Sequence, residues 1–130
     1  MDIRIKAGSS GSLQGLYMPA DNARACIIMV HGLGEHIGRY EHVAEALNNG
    51  GYSFLGVDLP GHGRSPGKRG HVSRFSQFND IIDSMVDYLK TEADELALVL
   101  YGHSLGGGIV LNYLLKNKNM TAGIASSPWL

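Results

Sequence analysis

The stretch Leu96-Ala97-Leu98-Val99-Leu100-Tyr101-Gly102-His103-Ser104-Leu105-Gly106-Gly107-Gly108-Ile109-Val110 sets the fold. Leu96–Tyr101 is a continuous apolar run of strand length, the pattern of a strand buried on both faces. Residues 102–106 then spell G-x-S-x-G, and apolar residues resume from Leu105 and Ile109 as a helix running from Ser104 to about Lys116. Strand, glycine, serine and helix in that order form a nucleophile elbow, a sharp strand-to-helix turn that presents a serine hydroxyl at the positive end of a helix. Side chains two residues either side of the serine would collide in so tight a turn, hence Gly102 and Gly106. Backbone N–H groups at such a turn can hold an oxyanion. Ser104 is therefore the candidate nucleophile. In a chain with 18 glycines the pentapeptide alone is weak, and its weight comes from the strand before it and the helix after it.

Outward from this stretch, short apolar runs alternate with helical patterns. Cys26–Val30 is a second buried-strand run, ending in His31-Gly32, and Ser53–Val57 a third, ending in Asp58-Leu59-Pro60-Gly61-His62-Gly63-Arg64-Ser65. Tyr40, Val43, Ala44 and Leu47 fall at helical spacing and are stopped by Asn48-Asn49-Gly50-Gly51. Phe78, Ile81, Ile82, Met85 and Leu89 make the core stripe of another helix, with Asp80, Asp83, Asp87 and Lys90 mostly off it. Ile3–Lys6 and Leu13–Met18 flank Gly8-Ser9-Ser10-Gly11 and read as an opening hairpin, while Ala122–Ser126 reads as a closing strand ended by Pro128. Two strands followed by β-α-β-α-β-α-β predict an α/β fold, a mostly parallel sheet flanked by helices, in one domain over residues 1–130. There is no internal repeat, low-complexity tract or linker. Ligand sites in such sheets lie beyond the carboxyl ends of the strands. Three segments, His31–His36, Asp58–Ser65 and Gly102–Gly106, each follow a strand directly and should converge there.

His31-Gly32-Leu33-Gly34 occupies the position of the HG-type loop that supplies a second oxyanion donor. Leu33 and Leu105 would each offer a backbone N–H, their side chains mattering little. His31 reads as a residue that fixes its turn rather than as a general base, and His62 as structural or substrate-adjacent.

Composition narrows the remaining classes. Eleven basic and twelve acidic residues give a net charge of −1, which provides no footprint for nucleic acid or an anionic membrane. No stretch approaches the roughly 18 apolar residues of a membrane span, and Met1–Lys6 lacks the apolar run of a signal peptide. The single cysteine, Cys26, lies in an apolar run and reads as a buried structural thiol, which suits a reducing, cytoplasmic setting. His31, His36, His62 and His71 show no metal-ligand spacing, so no metal site is expected. Neither a phosphate-binding G-x-x-x-x-G-K-[ST] nor a dinucleotide G-x-G-x-x-G is present. Lys68-Arg69, and Lys116 with Lys118, read as solvated surface.

Taken together, His31-Gly32-Leu33-Gly34-Glu35-His36 with Arg39-Tyr40, Asp58–Ser65, and Gly102–Gly107 resemble the N-terminal part of the monoacylglycerol lipase and lysophospholipase family of the α/β-hydrolase superfamily. Ser126-Ser127-Pro128-Trp129-Leu130 is similar to the segment closing the sixth strand. The resemblance covers nearly the whole chain in the family's order. It implies a serine hydrolase that cleaves carboxylic esters of glycerol or related alcohols without a cofactor, with Ser104 as nucleophile and Leu33 and Leu105 as oxyanion donors. It also places the lid, the last two strands and the triad acid and base beyond Leu130, so that the 130 residues alone should turn over negligibly. An unpaired edge on Ala122–Ser126 would further invite self-association, and a non-catalytic oligomerising fragment is the alternative expectation.

Overall fold

The computed structural model describes residues 1–71, 74–93 and 96–129. Six strands, β1 (Asp2–Lys6), β2 (Ser12–Met18), β3 (Cys26–Val30), β4 (Ser53–Val57), β5 (Leu98–His103) and β6 (Ala122–Ser126), form one sheet in the order β1-β2-β4-β3-β5-β6. β1 and β2 pair antiparallel, as do β2 and β4, whereas β3–β4, β3–β5 and β5–β6 are parallel. Three helices accompany them: α1 (Glu41–Asn49), α2 (Gln77–Glu92) and α3 (Leu105–Lys116). Short 3-10 turns occupy Gly8–Ser10 and Ile37–Tyr40.

The continuous apolar runs of β3 and β4 follow from what covers them. Along β3, Cys26, Ile28 and Val30 enter the larger core with Phe78, Ile81 and Met85 of α2 and Ile109 and Tyr113 of α3. Met29, on the opposite face, joins Phe54, Ile37 and Ala44 beneath α1. Both faces of β3 and β4 are thus sealed, and all five residues of each strand are buried. Burial pushes the Cys26 thiol up to about 12, which makes it the inert structural thiol its neighbours suggested.

β5 departs from its sequence reading in two ways. It is shifted by two residues, starting at Leu98 rather than Leu96 and running on through Gly102 and His103, which pair with Ala125 and Ser126 of β6. It is also not buried throughout: Leu100 and Gly102 are, but Val99 and Tyr101 on the α1 face are half-buried. α1 packs over β4 and β2 and leaves that part of the face with less cover. At the sheet margin, Ala122, Gly123 and Ile124 of β6 are exposed. α3 buries Ile109, Val110 and Tyr113, yet turns Leu115 outward. The Tyr113 hydroxyl donates to Asp83 Oδ1 at 2.7 Å and accepts from Asn119 Nδ2 at 3.0 Å, tying α3 to α2. Among the described residues, no helix is long and apolar enough to cross a membrane.

Candidate active site

Ser104 stands at the junction of β5 and α3 with φ 58° and ψ −118°, a conformation that costs a non-glycine residue on the order of 1–3 kcal/mol. Three backbone hydrogen bonds hold it there. Its N–H donates to Ser126 O at 2.8 Å, and its carbonyl accepts from Trp129 N at 3.0 Å and Gly108 N at 3.2 Å. The segment leaving β6 therefore grips both polar groups of the strained peptide. The flanking glycines are required by close backbone approach. A Cβ on Gly102 would run into the carbonyl of Gly106, and one on Gly106 into the carbonyl of Val30 at the end of β3.

The loop after β3 lies directly against the serine. A Cβ on Gly32 would sit 3.3 Å from Ser104 Cβ and 3.1 Å from His103 O. The amide N–H groups of Leu33 and Leu105 form no hydrogen bond with any described residue. Ser104 Oγ likewise has no hydrogen-bond partner among the described residues. Its sequence neighbour His103 turns to Ser126, with Nδ1 at 3.1 Å from that hydroxyl.

Behind this surface is a buried polar brace. His31 is wholly buried, accepts Leu59 N–H on Nε2 at 2.9 Å, and uses Nδ1–H toward Gly32 O at 2.8 Å. Burial pulls its pKa below the usual histidine range, against the hydrogen bond to Gly32. With both nitrogens engaged, it links the loop after β3 to the loop after β4. Asp58, also buried, accepts Ile37 N–H at 2.7 Å on one oxygen and Arg64 N–H at 3.0 Å on the other. Ser65 Oγ donates to Asp58 O at 2.6 Å and accepts Gln14 N–H at 3.0 Å, anchoring the same loop to β2. His62 is buried as well, its ring centroid 5.2 Å from that of His31 and its Nδ1 at 3.0 Å from Pro60 O.

Of the three loops converging in sequence, two meet at Ser104. The Asp58–Ser65 loop supports the first of them through His31. Arg69 lies on the exposed surface as expected, and its guanidinium also donates to the carbonyls of Gly63, Ser65 and Gly67, closing that loop. Glu35 and Asp58 escaped the sequence reading as working residues. For Glu35 a signal existed, a carboxylate three residues after Gly32, the spacing at which a side chain can return to a backbone N–H. Burial alone would raise the Glu35 pKa, but the hydrogen bonds from Tyr40 and Gly32 hold it below the usual carboxylate range. Glu35 and His103 also line an open cavity of about 450 Å³ with Arg39, Tyr40, His42 and Tyr101.

The chain is similar in sequence and fold to known lipases and a phospholipase. Phospholipase YtpA of Bacillus subtilis is 35% identical over 113 residues, covering 85% of this chain and 43% of that protein. A monoacylglycerol lipase of Mycolicibacterium smegmatis is 37% identical over 98 residues, 75% of this chain and 35% of the lipase. The crystal structure of Paleococcus ferrophilus monoacylglycerol lipase superimposes with a TM-score of 0.79 at 40% identity, covering 89% of this chain and 43% of that one. The chain thus spans less than half the length of these relatives. Residues 21–130 match the family described as serine aminopeptidase, S33, and with the partial sheet and elbow found here the chain belongs to that family of α/β-hydrolases.

Proposed function

We propose that this chain carries the nucleophile and oxyanion half of a serine ester hydrolase acting on monoacylglycerols or lysophospholipids. The observation that carries it is Ser104, held at φ 58° between β5 and α3 with its hydroxyl free of described partners. Ser104 Oγ attacks the ester carbonyl, and the N–H groups of Leu33 and Leu105 receive the oxyanion. The tetrahedral adduct collapses to the acyl-enzyme as the ester C–O bond breaks and the alcohol leaves with the serine proton relayed by the base. Water then cleaves the acyl-enzyme to the free acid and restores Ser104. No cofactor or metal enters this chemistry. The acid and base that activate the serine are supplied from outside these 130 residues. In a triad enzyme, removal of triad members leaves only about 10³–10⁴-fold catalysis over water, so the 130 residues alone turn over ester negligibly. The substrate class is supported by the relatives named phospholipase and monoacylglycerol lipase. The lone buried Cys26 suits a cytoplasmic setting.

A fluorophosphonate probe tests the nucleophile, since it forms a covalent adduct with a serine in such a site. The expected result is slow labelling of one residue, mapped to Ser104 by peptide mass and absent in Ser104→Ala. Labelling elsewhere, or none in the folded protein, overturns the assignment.

A second reading rests on β6. Among the described residues no strand pairs with the outer side of β6, which carries no charge and no proline, the usual guards of an edge strand, and Ile124 is 47% exposed. A second copy of the chain fits this edge by pairing β6 with β6 about a two-fold axis. Sedimentation equilibrium should show a dimer that Ile124→Lys dissociates. A monomer at high concentration sinks this assembly without touching the assignment of Ser104.

A further inference from the structure

Gly32 is held at its N–H by the Glu35 side chain and at its carbonyl by the Glu35 backbone and by His31, whose Nδ1 lies at 2.8 Å. Its N–H donates to Glu35 Oε1 at 2.8 Å, and its carbonyl accepts the backbone N–H of Glu35 at 3.2 Å. The same Oε1 accepts the Tyr40 hydroxyl at 2.8 Å, and the other carboxylate oxygen faces Arg39 Nη1 at 3.8 Å. The consequence lies one peptide on. Leu33 N–H shares a peptide plane with Gly32 C=O, and in a trans peptide the two point in opposite directions. The structure contains no cis peptide bond among its described residues. Holding Gly32 C=O on Glu35 N–H and His31 Nδ1 therefore fixes the direction of Leu33 N–H, in a loop whose Gly32 lies directly against Ser104. Without a side chain of its own, Gly32 could rotate either peptide freely. The carboxylate's grip on its N–H restrains the peptide before it, and the bonds to its carbonyl restrain the peptide after it, so that Gly32 is fixed from both sides.

We propose that Glu35 is a positioning residue whose carboxylate, steadied by Tyr40, fixes the Gly32 backbone and so aims Leu33 N–H into the oxyanion hole. This rests on the assignment of Ser104 and Leu33 given above. The hydrogen bonds that hold Glu35 below the usual carboxylate range keep it ionised at neutral pH, and an ionised acceptor makes the stronger bond. Misplacement of a reacting group by about 1 Å can cost on the order of 100-fold in rate.

The test compares the full chain with Glu35→Ala, Glu35→Gln and Tyr40→Phe, using amide NMR and fluorophosphonate labelling. In Glu35→Ala, Gly32 N–H should exchange at least ~10-fold faster, and the Leu33 amide resonance should move. The maximal labelling rate constant should drop about 10–100-fold, with the probe concentration for half-saturation changed less than about 3-fold. Glu35→Gln keeps an acceptor and should recover to within about 5-fold of the parent, with Tyr40→Phe in between. A residue that merely stabilised the fold would not separate rate from probe affinity in this way. Parent-like Gly32 exchange and Leu33 shift in Glu35→Ala overturn the positioning role, whether or not Ser104 labels. Altered amides with an unchanged labelling rate overturn it too. An unlabelled parent chain counts against the Ser104 assignment instead, and the Gly32 and Leu33 amides still decide the role of Glu35.

Discussion

Gly106→Ala should melt about 10 °C below the parent and label at Ser104 at least ~100-fold more slowly. The added Cβ would point into the carbonyl oxygens of Val30 and His31. Those are backbone atoms at the end of β3, where Val30 pairs with Gly102 of β5, so they cannot swing aside as a side chain could. The strain has to be relieved by lifting the start of α3 off the sheet. Overpacking of this sort typically costs about 1–3 kcal/mol, and an unyielding backbone obstacle places it at the upper end. The same displacement moves Ser104 and the Leu105 N–H away from the loop carrying Leu33, so stability and reactivity fall together. Gly107→Ala is the comparison. Its Cβ would meet Pro128 at 2.9 Å, in the segment beyond β6, a wider approach than the one at Val30 O. Thermal melts by circular dichroism and labelling rates by intact mass check both variants. A Gly106→Ala protein that melts within about 2 °C of the parent and labels normally would show that the close approach of α3 to β3 is not needed.

Much of this arrangement was legible because local pattern and global fold agree. Cys26–Val30, Ser53–Val57 and Ala122–Ser126 are strands with the bounds their apolar runs predict, since turn residues stand at each end. Ser104 sits where G-x-S-x-G puts it, in a backbone conformation that a serine adopts only under constraint. What escaped is what depends on distant partners. β5 extends through Gly102 and His103 because β6 is there to pair with them, which the run Leu96–Tyr101 cannot announce. The turn Ile37–Tyr40 begins at an N–H bound by Asp58, 21 residues away. Arg69 carries an ordinary surface residue type, and only the curl of the loop brings three carbonyls to its guanidinium.

Two of the long-range contacts, Ile37 N–H to Asp58 and Leu59 N–H to His31, tie the segments after β3 and β4 to one another beside the loop bearing Leu33. Preorganised donors are effective because they need no rearrangement during reaction. Glu35 and His31 secure that loop from within, His31 by accepting Leu59 N–H, while Asp58 secures it from the segment after β4. Three residues with no role in bond-making thereby carry the geometry of the site.

His31 is the most exposed of these to experiment, and its loss is expected to lower stability by about 3–4 kcal/mol, or roughly 10–15 °C. It is 0% exposed, so His31→Ala opens a cavity. The substitution also strips Leu59 N–H of its acceptor, in a residue itself buried. Gly32 O keeps the Glu35 N–H and suffers less. A second consequence concerns pH. Accepting Leu59 N–H requires Nε2 to be unprotonated, so the native state needs the neutral ring. Burial lowers the native pKa first and most, opposed by the hydrogen bond to Gly32, with His62 adding to the lowering and Asp58 and Glu35 opposing it. The unfolded chain protonates His31 near 6.5, while the native state resists until lower pH. Between those two values the unfolded state binds more protons, so stability must fall as pH drops through that window. The parent should therefore melt lower at pH 5.5 than at pH 7.5, and His31→Ala should lose much of that difference while melting low at both. Equal pH dependence in parent and variant would show that the proton is taken up elsewhere, and that His31 does not hold the two loops together as a neutral ring.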